Sequence, residues 1–252
     1  MTLGILAQCR ALALSRLQRD GSDGMRVTVT AHVLTLREAL GAPGRQDYPL
    51  QTGREYLLEA LCGRARGQAF TDAPAAFEGS LAELLTRDGA DTATRALQVA
   101  ALNALLCRQA AVTDTVHCRD EGPARCAQEL PAAVRSRWPR AQMLALVGCQ
   151  PAMAEALAPH YHLTVIDADQ ARIGTQLAGT EIIGSNDRRA ALVLREADAV
   201  LATGSTLVNG TIDGLIALVG LPRLLFYGVT IAGAAGLLNL PRFCAGAEQG
   251  AA

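Results

Sequence analysis

The residues with the widest chemical reach form one run, Thr203, Gly204, Ser205 and Thr206, followed by Asn209, Gly210 and Thr211, within ADAVLATGSTLVNGTIDGLIALVG. Hydroxyls, a carboxamide and two glycines at one spot permit close backbone approach and offer several hydrogen-bonding groups, which suits a cradle for a small molecule or an anion. A single N-cap would explain one of these side chains but not the whole cluster. A second set, His117, Cys118 and Cys126 in VHCRDEGPARC, combines imidazole with two thiols, donors suited to a transition metal such as Zn, Ni, Co or Fe. These cysteines lack the tight C-x-x-C spacing of a structural zinc site, and the stretch reads equally as a charged linker with a packed cysteine at either end.

Three further candidates stand where apolar runs stop. Gly148 follows MLALV, Asp167 ends LTVID, and Tyr227 ends LLFY. In an open α/β sheet, ligands bind beyond the carboxyl ends of the strands, so all three fall on the side where the Thr203 loop must lie. The turn VGCQPAM has one glycine where a dinucleotide fingerprint needs three, which disfavours NAD. Asp167, about twenty residues on, suits a ribose hydroxyl and keeps an adenosyl or related nucleotide cofactor in view.

These residues require elements to hold them. From Met143 onward, short apolar runs alternate with helical patterns: strands over Met143–Gly148, Leu163–Asp167, Ala199–Ala202 and Arg223–Gly228, with helices over Ala152–Ala158, Asn186–Ala197 and the segment after Thr206. Repeated βα units with short connections predict a doubly wound, mostly parallel sheet. The first half differs. Arg26–Leu36 reads as a strand, Tyr56–Cys62 is ambiguous, and Ser80–Leu85 and Thr92–Arg108 are helical, so an α+β domain over residues 1–115 is expected to precede an α/β domain over residues 116–252.

The chain's 252 residues, half of them hydrophobic, can bury a full core, and a formal charge of −1 without a basic stripe gives nucleic acid no footprint. All 23 basic residues are arginine, which excludes a P-loop lysine and a Schiff-base lysine. Seven scattered cysteines and an apolar start without a basic n-region point to the cytoplasm. The uncharged run within Leu224–Pro241 carries Gly228, Gly233, Gly236 and Asn239, and breaks into a strand and a short buried helix rather than a membrane span.

TGSTLVNGTIDGL, together with VGCQPA, VIDAD followed by RIG, and the upstream ALNALL, resembles the family called "putative heavy-metal chelation", a domain family of unknown function. The resemblance implies an enolase N-terminal-like domain joined to a Rossmann-like domain, with the functional site in the cleft between them. It maps the family's TLVNGT loop onto Thr206–Thr211 and its first glycine turn onto Gly148. The expectation is a small-molecule, heavy-metal or metal-chelate binding protein, with a transferase-like enzyme in the same cleft as the alternative. No nucleophile, base and orienter set is legible, so catalysis is left undecided. A homodimer is compatible with either reading.

Overall fold

A computed structural model describes residues 3–21 and 28–250. It is an α/β molecule with two sheets. Helix α1 (Ile5–Arg19) comes first, its Cys9, Ala13 and Leu17 fully buried at a helical repeat. Strand β1 is described from Thr28 to Val33, and positions 26 and 27 of the strand expected from Arg26 lie outside the described residues. Thr35 then caps helix α2 (Leu36–Leu40) through a reciprocal box with Glu38. Strands β2 (Tyr56–Cys62), β3 (Ala65–Thr71) and β4 (Phe77–Ser80) complete an antiparallel sheet of order β3-β2-β1-β4. Helices α3 (Leu81–Thr86) and α4 (Thr92–Arg108) follow, capped by Ser80 and Asp91.

Helix α5 (Gly122–Arg137) occupies the charged, proline-bearing stretch that the sequence presents as a linker. Pro123 falls in its first turn, where the missing N–H is no loss, while Pro131 is accommodated inside the helix. The second sheet comprises β5 (Met143–Val147), β6 (His162–Asp167), β7 (Gln176–Leu177), β8 (Thr180–Gly184), β9 (Ala199–Thr203), β10 (Leu224–Tyr227) and β11 (Arg242–Phe243). Helices α6 (Pro151–Leu157), α7 (Arg188–Glu196), α8 (Ser205–Val208), α9 (Ile212–Val219) and α10 (Ala232–Leu238) connect them. The order is β11-β10-β9-β5-β6-β8-β7, parallel throughout except for β7 against β8. From β5 the chain builds outward through β6 and then crosses back to β9 on the other side. The strand order therefore reverses between β5 and β9, and the crevice beyond their carboxyl ends is where such sheets take ligands.

The two sheets share one core. Helix α4 is the partition: every residue from Ala96 to Cys107 is buried, because β2 and β3 cover one side while α8 and α10 cover another. One apolar cluster runs from Leu58 and Ala60 on β2 through Leu97 and Ala101 on α4 to Val200 and Phe226 on the second sheet. Buried polar groups join the layers. Asn103 donates to the carbonyls of Gln68 (2.8 Å) and Val229 (3.1 Å) and accepts from the Gly233 amide (2.7 Å). Phe70 donates its amide to the Thr230 hydroxyl at 3.0 Å, and Arg95 donates to the Val208 carbonyl at 2.6 Å. Low-dielectric bonds of this kind fix the relative placement of the layers. No helix among the described residues is long and apolar enough to cross a membrane.

Candidate functional site

A cleft of about 790 Å³ opens between the amino end of β2 with the carboxyl end of β3 on one side, and the carboxyl ends of β5, β6, β9 and β10 on the other. It coincides with the reversal in strand order.

The floor is the turn after β5. Gly148 has φ +92°, and a Cβ there would meet Thr203 Cγ2 at 2.7 Å and the Tyr227 hydroxyl at 2.8 Å, so only glycine lets three strands converge. The Tyr227 hydroxyl donates to the Gly148 carbonyl at 2.8 Å. It serves as a brace under the turn, and burial pushes its ionisation well above the ordinary tyrosine range. Beside the turn, Pro151 starts α6 and the Gln150 side chain accepts the Met153 amide at 2.7 Å.

Asp167 leaves β6 and takes two backbone amides, one on each oxygen: Cys149 N on Oδ2 and Asp169 N, at 2.7 Å, on Oδ1. These bonds tie the end of β6 to the turn after β5 and hold Asp167 on the cleft wall. Arg172 donates to Cys149 Sγ at 3.2 Å and lies 3.5 Å from Asp169, which Arg54 also meets at 2.7 Å. Burial nevertheless raises the Cys149 thiol, outweighing Arg172.

The Thr203–Thr211 run divides in two. Thr203, Ser205 and Asn209 line the cleft. Gly204, Thr206, Gly210 and Thr211 are not among the lining residues. A Cβ on Gly204 would meet the Ile231 amide at 2.6 Å, so its role is close packing. Thr206 is 2% exposed and returns its hydroxyl to the Thr203 carbonyl at 2.8 Å. Gly210 supplies a left-handed turn at φ +80°, and Thr211 donates its amide and hydroxyl to Asn209 Oδ1. The segment after β9 is consequently two helices, α8 and α9, broken at Asn209 and Gly210, rather than one.

His117, Cys118 and Cys126 all line the same cleft, and the structure adds Cys244, more than 100 positions further along the chain than Cys126 and unmarked by any motif. Imidazole and three thiols form a soft donor set, and an ion bound there would displace the thiol protons. Without a metal, burial pushes Cys118 up to about 12 and Cys244 up to about 11, and raises Cys126. Among the described residues no group of three or more His, Cys, Asp or Glu side chains is arranged to hold a metal ion. His117 is held neutral, its pKa pushed down to about 4 by burial, and its buried Nδ1 has no hydrogen-bond partner among the described residues.

Glu55, absent from the sequence reading, lies on the opposite wall, one residue before β2. Its carboxyl is partly buried and makes no hydrogen bond or ion pair among the described residues; burial first, and Asp167 second, push its pKa up to about 7. Folded protein therefore binds a proton there that unfolded protein releases above pH 4.5, so stability falls as pH rises from about 4.5 to about 7 and levels off beyond. Glu55→Gln is expected to add about 2 kcal/mol at pH 8 and to flatten that segment of the profile. Urea denaturation of both proteins between pH 5 and 8 checks this, and parallel profiles would refute it.

No curated protein matches the chain. Several solved structures resemble it. A protein of unknown function from Pyrococcus horikoshii, assigned to the DUF364 family, aligns at TM-score 0.52 and 19% identity, covering 90% of this chain and 79% of that one. Another protein of unknown function from that family, from Desulfitobacterium hafniense, aligns at TM-score 0.47 and 14% identity, covering 73% and 71%. The first supports the fold. Residues 133–236, from within α5 into α10, match the DUF364 family model, described as "Putative heavy-metal chelation", so this stretch carries the chain's likeness to that family.

Proposed function

We propose that the chain binds a small organic ligand in this cleft, and that a heavy metal, where one is carried, enters as part of that ligand's complex. The supporting observation is convergence: Gly148, Asp167, Thr203, Ser205, Asn209 and Tyr227 from one half, and His117, Cys118 and Cys126 from the connecting stretch, line a single cavity. Its volume lies in the range of small-molecule sites, roughly 300–1,000 Å³. Hydroxyl and amide groups of Thr203, Ser205 and Asn209 meet the ligand's polar atoms, while the thiols and His117 form a softer wall.

A native mass spectrum of freshly purified protein is expected to show a retained small molecule, lost in a Ser205→Ala/Asn209→Ala variant that still unfolds at the wild-type temperature. Metal content is expected to follow the organic ligand and to survive Cys118→Ser and Cys126→Ser. A ligand-free spectrum, together with no thermal shift from any adenosyl compound, organic acid, amine or metal complex tried, would sink this reading.

A further inference from the structure

Resting on the proposal that the cleft is a ligand site, we infer that its ligand is a cation, an organic amine or guanidine, with Glu55 as its counter-ion and Asp167 as a second acceptor. Four carboxyl groups line the cleft, Glu55, Asp72, Asp167 and Asp169, against two guanidinium groups, Arg54 and Arg172. Both guanidinium groups are committed: Arg54 to Asp169, Arg172 to Cys149 Sγ and Asp169. Glu55 thus stands across the cleft from Asp167 with no hydrogen-bond or ion-pair partner among the described residues. A cavity lined by four carboxyl groups, with both of its guanidinium groups already engaged, repels an anion at that wall and attracts a donor-rich cation.

The groups facing Glu55 are Asp167, Asp72 and Asp169, which hold its proton on, and Arg172, which opposes them. An ammonium or guanidinium placed there reverses the balance. Glu55 gives its proton to solvent as the cation binds, so one carboxylic acid and one cation become an ion pair plus a released proton. Amine binding therefore weakens by about tenfold between pH 8 and pH 6, where the proton must first be displaced.

The test uses the full-length protein with agmatine and spermidine as cationic probes, and citrate and inorganic phosphate as anionic ones. Calorimetry and thermal shift are run at pH 6 and pH 8, with proton release read from two buffers of different ionisation enthalpy. The expected result is stabilisation by agmatine or spermidine, stronger at pH 8, with proton release, and loss of the pH dependence and most of the affinity in Glu55→Gln. Because the wild-type pH dependence and proton release are independent readouts, the test survives a misfolded variant. Amines that bind Glu55→Gln equally well overturn the inference, as does the absence of any amine binding. Stabilisation by citrate or phosphate alone, abolished by Ser205→Ala, overturns the amine assignment while leaving the cleft as a ligand site.

Discussion

Gly67→Ala is expected to lower stability by about 3 kcal/mol or more, enough to leave a marginally stable fold substantially unfolded at growth temperature. Gly67 sits in the middle of β3, where that strand rests on α4. A Cβ added there would fall on the Ala104 amide nitrogen, the Ala100 carbonyl oxygen and the Asn103 carbonyl carbon. These are backbone atoms of a helix buried from Ala96 to Cys107, so no side-chain rotamer can move to make room. Relief would require α4 to lift from the sheet, breaking contacts on its far side as well. Gly214→Ala, within α9 and with nothing within 4 Å of the added carbon, is the matched control and is expected to be neutral or to stabilise by up to about 1 kcal/mol. Urea midpoints of the two variants decide the matter; equal stability would mean that the strand and helix are not in close contact.

The same contact explains why β3 is hard to read from sequence. ARGQAFT lacks a β-branched run, and its Gly67 and Gln68 look like loop residues until α4 lies against them. Gln68 is in fact 2% exposed, its amide nitrogen donating to Glu59 and its carbonyl oxygen accepting from the His117 amide. By contrast, β5, β6, β9 and β10 are legible, because strands covered on both faces must be apolar throughout. Thr92–Arg108 is legible for a related reason: Asp91 caps it and its apolar residues continue for four turns. The edge strands β7 and β11 escape because each is two residues long and depends on its neighbour for hydrogen bonds.

The candidate site divides along the same line. Gly148, Asp167, Thr203 and Tyr227 are visible as residues that end apolar runs, and strand ends are where an α/β sheet does its binding. Glu55 has no such signal, since one acid ahead of YLLEALC reads as solvated charge. Its meaning arises when the antiparallel sheet carries the start of β2 to the carboxyl edge of the second sheet, a pairing of residues more than 100 positions apart. Cys244 joins Cys118 and Cys126 for the same reason. Within the Thr203–Thr211 run, composition does not separate the side chains that face the cleft from those spent on the turn itself.

Asn103→Leu is expected to cost about 3–5 kcal/mol and to do so for the whole molecule at once. The residue lies in ALNALL, where the helical pattern alone gives no reason for a carboxamide. At 1% exposure it bridges three segments: its amide nitrogen donates to Gln68 of the first sheet and to Val229 after β10, and its oxygen accepts from Gly233 at the start of α10. Leucine fills a similar volume but leaves the Gly233 amide and two carbonyls without their partner in a dry interior, which costs more than the bonds themselves contribute. Asn103→Asp separates the bond loss from the shape change. Its carboxylate keeps the acceptor for Gly233 but turns an oxygen toward the two carbonyls, so its penalty is expected to exceed that of leucine at pH 8 and to shrink as the pH falls and the carboxyl regains a proton. Because one apolar cluster spans both sheets, each variant is expected to unfold in a single transition by far-UV circular dichroism and by tryptophan fluorescence, the latter from Trp138 on the second sheet's side. Two separated transitions, with the fluorescence step unchanged from wild type, would show instead that the halves fold independently and that Asn103 merely decorates their contact.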